Sequence, residues 1–280
     1  MLQRCQDIES INKAIMAYRQ EKASVAFVPT MGALHEGHLS LVRLAKKKAD
    51  RVVVSIFVNP LQFGAGEDFE VYPRTLEEDA LLLEKEGVDA LFLPEALELY
   101  PDGFQTLVVN DSLSKILCGK SRPGHFQGVL TVVLKLFNIV KPDYAFFGVK
   151  DYQQFVLISR MVKDLCLNIE VFGGSIIREQ DGLAMSSRNV RLDKENRGHA
   201  TQIHKALCEV KAAYQGGMRK ESDLKRLFEK VLSKRGSFEM DYFDIREASS
   251  LEEYEEGCDP VALCAARLGG VRLIDNMVLH

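Results

Sequence analysis

Apolar residues recur along the first half of the chain in two alternating rhythms. Short runs rich in β-branched and aromatic residues fall at 24–29, 51–58, 88–93, 143–148 and 169–177. Residues 51–58 (RVVVSIFV) are nearly continuous in apolar side chains, as a strand covered on both faces should be. Between these runs, apolar positions adopt a helical period at 38–49, 75–86, 127–140 and 151–166. The alternation predicts βαβ units and an α/β fold with a doubly wound parallel sheet. Ligands of such sheets bind beyond the carboxyl ends of the strands. The chain concentrates its unusual residues at those ends, at 29–38, 59–63 and 148–154.

The rhythm changes near residue 178. Residues 193–234 are charged and helical, and β-rich runs follow at 240–245, 261–266 and 270–274, with an acidic loop at 252–259. This predicts a second, smaller α+β domain over 178–280, after a first domain over 1–177. Apolar residues make up 46% and charged residues 27%, with a formal charge of −4, the profile of a globular enzyme rather than a nucleic-acid coat. No apolar run reaches the roughly 20 residues a membrane helix needs. The N-terminus lacks a secretory hydrophobic core, which predicts a cytoplasmic protein. Six cysteines are scattered without a C-x-x-C pair and are expected to be reduced and mostly buried.

The sharpest local pattern is PTMGALHEGH at 29–38, where a strand gives way to a helix. A helix start offers unpaired N–H groups and partial positive charge, which suits phosphate. Gly32 and Gly37 let backbone approach a ligand, and His35 and His38 supply donors. Gln62 follows the strand that stops at Asn59-Pro60; it is either a substrate amide or a solvated loop residue. Thr75 reads as an N-cap with Glu78 completing a capping box. Glu77, Glu78 and Asp79 then complement the helix dipole, with a magnesium role for Asp79 as the alternative. Arg122 and His125 sit in a glycine-rich turn that is either an anion site or a plain helix start. Lys150 can neutralise phosphate, Asp151 can accept from a ribose or cap a helix, and Gln154 lies about one turn beyond Lys150. Ser186-Ser187-Arg188 form a compact donor set, read either as a polar linker or as a mobile lid over phosphate. Neither G-x-G-x-x-G nor the P-loop pattern occurs.

Together PTMGALHEGHLSLV, SIFVNPLQF, EDFEVYPRT, SRPGHFQGV, FFGVKDYQQ, DGLAMSSRN, DYFDIR and RLIDN resemble the pantoate–β-alanine ligase family in order and spacing. The resemblance implies a Rossmann-like nucleotidyltransferase domain with a HIGH-type motif and a smaller C-terminal lid domain. It implies a cytoplasmic homodimer that uses ATP and Mg²⁺ to join pantoate to β-alanine through an acyl adenylate, with no nucleic-acid or membrane partner. By similarity His38 is the proton donor, assisted by His35 and Lys150. Met31, Gly32, Ala33, Leu34, Glu36, Gly37, Gly148, Val149, Asp151, Ile177, Met185, Ser186, Ser187 and Arg188 complete the ATP-binding set. Gln62 and Gln154 hold pantoate, and Gln62 also reaches β-alanine. Val149 stands where the family usually has glutamate, Met185 replaces a common leucine, and residues 172–175 lack a frequent proline. Two other readings are a HIGH-type nucleotidyltransferase with a different substrate, and a non-catalytic nucleotide binder.

Overall fold

Six short runs, the central ones buried on both faces, assemble into one parallel sheet in the computed structural model, which describes residues 2–64 and 66–280. The strands are β1 (Gln3–Cys5), β2 (Val25–Thr30), β3 (Arg51–Ile56), β4 (Ala90–Phe92), β5 (Tyr144–Gly148) and β6 (Glu170–Gly174). Their order is β1-β4-β3-β2-β5-β6. The order therefore reverses at β2, which pairs with β3 on one side and β5 on the other. The doubly wound sheet expected from the alternating rhythm is present, and its strands lie within a few residues of the predicted runs. The three-residue β1 and the helix Ile8–Gln20 escaped that reading.

Successive residues of the central strands point to opposite faces. Ala26, Val28, Val52, Val54 and Leu91 pack with Leu41, Val42 and Ala45 of helix Glu36–Lys48 and Leu83 of helix Leu76–Lys85. On β2 and β5, Phe27 and Phe147 instead meet Phe137 of helix His125–Val140, edge to face at 6.4 and 6.3 Å. This layering holds the end of β2 rigidly, at the switch point where doubly wound sheets take ligands.

Two compact units divide the chain, one of residues 1–149 with 157–175 and one of residues 150–156 with 176–280. The second unit holds an antiparallel sheet of β7 (Glu239–Glu247), β8 (Pro260–Leu268) and β9 (Val271–Val278). Helices Gln202–Gln215 and Glu221–Leu232 cover one face. Its core joins Ile203, Leu207, Leu224 and Phe228 to Phe243, Cys264 and Leu273, with Phe228 stacked on Phe243 at 4.2 Å. Among the cysteines, Cys5, Cys118 and Cys264 are buried, but Cys166 and Cys208 are exposed, so mostly buried was too strong.

Candidate active site

The histidine turn is built by short-range hydrogen bonds. Thr30 donates its hydroxyl to the Ser55 carbonyl (2.8 Å) and accepts from the Gly32 N–H (3.2 Å). Gly32 and Ala33 both take positive φ, +81° and +50°. This curls the N–H groups of Ala33 and Leu34 onto the carboxylate of Asp79, at 2.9 and 2.7 Å. His35 then caps helix Glu36–Lys48, its Nδ1 accepting from the Gly37 N–H at 3.1 Å. His38 completes the box: its Nδ1 accepts from the His35 N–H at 3.3 Å. A backbone N–H can only donate, so both imidazoles carry their neutral-state proton on Nε2. The half-buried rings lie 4.2 Å apart between centroids. The spacing needs glycine at 37, where a Cβ would sit 2.8 Å from the His35 ring. The turn thus presents imidazole donors, while the N–H groups of Ala33 and Leu34, both in the ATP-binding set implied by the resemblance, are engaged by Asp79.

Asp79 itself departs from its sequence reading. It is only 2% exposed, and its Oδ1 also accepts the Thr75 hydroxyl at 3.2 Å. Thr75 occupies the N-cap position as expected, but its side chain makes no cap bond and turns to Asp79 instead. Three of its roughly four acceptor sites are thus taken, two on Oδ1 and one on Oδ2, by donors that fix the turn. In this structure Asp79 serves the turn as a hydrogen-bond acceptor. Among the described residues, no group of three or more His, Cys, Asp and Glu side chains is arranged for a metal.

Gln62 is 9% exposed and lies in a single 3₁₀ turn, Pro60–Gln62, after β3. Its amide is oriented by Asn59, which is 1% exposed. The Asn59 Oδ1 accepts from the Leu61 N–H (3.3 Å) and the Tyr100 hydroxyl (2.7 Å). Its Nδ2 donates to the Gly128 carbonyl and to the Gln62 Oε1, both at 3.1 Å. Because Leu61 N–H must donate and Gly128 C=O must accept, the Asn59 amide has one orientation, and so does that of Gln62. The Gln62 Nε2 then points to the Met31 sulfur at 3.1 Å.

Arg122 and His125 brace the same turn. The Arg122 guanidinium makes a two-point ion pair with Glu67 at 2.7 and 2.6 Å. It also reaches His125 Nε2 at 2.9 Å, while His125 Nδ1 donates to the Gln62 carbonyl at 2.8 Å. Burial alone would raise the Glu67 carboxyl, but the Arg122 hydrogen bonds and charge outweigh it and hold it below the usual range.

The remaining candidates lie on β5 and in the second unit. Gly148 ends β5, and Val149, Lys150 and Asp151 form one 3₁₀ turn. The Lys150 carbonyl accepts from Asn276 Nδ2 at 3.0 Å, and its ammonium lies 3.7 Å from Asp151. Gln154 is half-buried in helix Tyr152–Asp164. Ile177 accepts from the Met185 N–H at 2.9 Å, closing a hairpin whose base is Arg178 paired twice with Asp275, at 2.6 and 2.9 Å. Arg197 clamps Glu179 and Asp181 of the same hairpin at 2.6 and 2.7 Å. Ser186 Oγ accepts from the Arg188 N–H at 3.2 Å. Residues 177–189 are a pinned hairpin rather than a polar linker.

A family model for pantoate–β-alanine ligase matches residues 3–278. The chain belongs to this family. It is 49% identical to the pantothenate synthetase of Caldicellulosiruptor bescii, over 100% of this chain and 99% of that one. It is 50% identical to that of Thermotoga petrophila, over 97% and 98%. A crystal structure of pantothenate synthetase from Thermus thermophilus superposes with a TM-score of 0.94 at 43% identity, covering all of both chains. The Francisella tularensis ligase, crystallised with Beta-gamma ATP and β-alanine, gives 0.84 at 36% identity over 99% and 98%.

Within this ligase-family chain, sequence reasoning missed Asn59, Tyr100 and the anchoring role of Asp79. Asn59-Pro60 was visible as a strand end, and its Asx-type bond to Leu61 is the local signal for the turn. The signal at Asp79 was a carboxylate beside Ala80 and Leu83 on the buried side of an amphipathic helix. Tyr100 and Asp275 had no local signal, because their partners are remote in sequence. No helix among the described residues is long and apolar enough to cross a membrane.

Proposed function

We propose that this chain joins (R)-pantoate to β-alanine in two ATP-dependent steps. The pantoate carboxylate attacks the α-phosphorus of ATP, the bond to pyrophosphate breaks, and pantoyl adenylate forms. The amine of β-alanine then attacks the acyl carbon; AMP leaves with the bonding pair, and the amide remains. Adenylation needs charge stabilisation on a transferring phosphorus more than it needs a protein nucleophile.

One observation carries the reading: two imidazoles, each tied to backbone through Nδ1, at a helix start on the central strand. Their Nε2–H groups suit phosphate oxygens, with His38 meeting the charge that develops as pyrophosphate leaves. We assign Met31, Gly32, Glu36 and Gly37 to the wall of the ATP turn, with Ala33 and Leu34 shaping it through Asp79. Gly148, Val149, Lys150, Asp151, Ile177, Met185, Ser186, Ser187 and Arg188 also serve ATP, Lys150 and Arg188 through charge. Gln62 donates to pantoate and later to β-alanine, and Gln154 assists with pantoate. Magnesium accompanies ATP through its phosphate oxygens and water, which needs no protein cage. Domains of 1–177 and 178–280, a homodimer and a cytoplasmic location belong to the same proposal.

Purified protein given ATP, Mg²⁺, pantoate and β-alanine should release AMP and pyrophosphate and form pantothenate. Absence of β-alanine-dependent AMP would overturn the reading. His38→Ala should retain ATP binding while losing roughly 10²-fold or more in rate, as for removal of a transition-state donor. Near-normal turnover would remove His38 from its role.

A further inference from the structure

Successive backbone N–H groups that converge in a tight turn make a small anion site. In the histidine turn that anion is internal. Asp79 reaches in from helix Leu76–Lys85 and takes the N–H groups of Ala33 and Leu34. Its carboxylate has no ion-pair partner within 4.0 Å among the described residues, and it accepts only from N–H and O–H donors. A side chain at Gly32 would crowd Asp79 Oδ2, its Cβ arriving at 3.1 Å. One residue beyond Leu34 stands His35, whose main chain and ring fix His38.

We propose that Asp79 is the positioning residue of the histidine turn. It sets the place and direction of His35 and His38 as a hydrogen-bond acceptor, and not as a magnesium ligand. The inference rests on the histidine roles proposed above and adds a residue that touches neither substrate nor phosphate. Asp79→Asn is nearly isosteric, but it turns an NH₂ toward an N–H donor. Geometry at a helix start is then lost, and a small displacement of a catalytic group is costly in rate.

The test is a double-mutant cycle with magnesium titration. Asp79→Asn should lower kcat for AMP release about 10- to 100-fold. The pantoate KM and the Mg²⁺ concentration giving half-maximal rate should change less than about 2-fold, since uniform substrate binding is untouched. In a His38→Ala background the same substitution should cost less than about 3-fold, because it acts through that ring. A tenfold or greater rise in the Mg²⁺ requirement, with normal kcat at saturating metal, would make Asp79 a metal ligand and overturn the proposal. So would a kcat equal to that of the parent, or an undiminished loss in the His38→Ala background. If His38→Ala alone is as active as the parent, the histidine assignment fails first, and the Asp79 claim falls with it. Thr75→Val removes one donor to the carboxylate and no cap bond, so it covers the case in which Asp79→Asn does not fold. It should lower kcat about 2- to 5-fold without moving the Mg²⁺ requirement, and an unchanged kcat there would overturn the proposal.

Discussion

Arg178 and Asp275 meet in a two-point ion pair, with Asp275 Oδ2 and Oδ1 at 2.6 and 2.9 Å from the guanidinium. The Asp275 side chain is 4% exposed, so its charge is compensated by Arg178 rather than by water. The same guanidinium donates to the Gly182 carbonyl at 3.1 Å, which ties the Ser186-Ser187-Arg188 hairpin to β9. Truncating one partner of a buried pair typically costs about 3–5 kcal/mol, since the other charge stays buried. Asp275→Ala should therefore lower unfolding free energy by about 3 kcal/mol in urea titration. It should also raise the ATP KM more than the pantoate KM. A stability loss without any change in ATP KM would separate the ion pair from the ATP role proposed for the hairpin.

Asn59→Asp tests the polarity of Gln62. A carboxylate keeps the shape of Asn59 but cannot donate to Gln62 Oε1 or to the Gly128 carbonyl. The Gln62 amide would then turn its NH₂ toward residue 59 and its carbonyl toward the substrate. We expect the pantoate KM to rise at least about tenfold and the ATP KM to change less than about twofold, the signature of a contact on one substrate only. Equal shifts in both would mean that residue 59 supports the whole turn and not the amide.

The Glu67–Arg122 pair gives a pH-dependent prediction. The Glu67 carboxyl is depressed by Arg122, so the folded state binds fewer protons at this position than the unfolded chain. Its stabilising contribution is present above the ordinary glutamate range, about 4.3, and is lost as pH falls through the depressed value. Hydrogen exchange in 66–73 should stay slow at neutral pH and accelerate only in acid below that range. Glu67→Gln should show the fast exchange already at neutral pH. Matching profiles for the two proteins at every pH would show that the pair does not hold this segment.

The central sheet was legible because β2, β3 and β5 are apolar runs whose two buried faces leave little ambiguity. The histidine turn was legible because its bonds close within a few residues, from Thr30 to His38. What stayed hidden depends on contacts between distant segments. Nothing local to Asp79 shows that it will meet Ala33 and Leu34, and a first-turn carboxylate has a sufficient local explanation in the helix dipole. Gln62 in a loop reads as solvated until Gly128 and Tyr100 close over Asn59 and bury both amides. Helix Ile8–Gln20 was missed for a different reason. Its capping box pairs Asp7 with Ser10 instead of the usual Glu or Gln at the third position, so the familiar start signal is muted.

The contact between Gln62 Nε2 and the Met31 sulfur has a thermodynamic side. A thioether is a weak acceptor, so it keeps the amide hydrogen oriented and dry without holding it strongly. A carboxylate or hydroxyl oxygen that displaces the sulfur exchanges a soft contact for a hard one. The amide gives up little on such an exchange, because the contact it leaves is a weak one. On the proposed assignment of Gln62 to pantoate, the sulfur would act as a placeholder, and the selectivity of the position would lie in how easily it yields to oxygen.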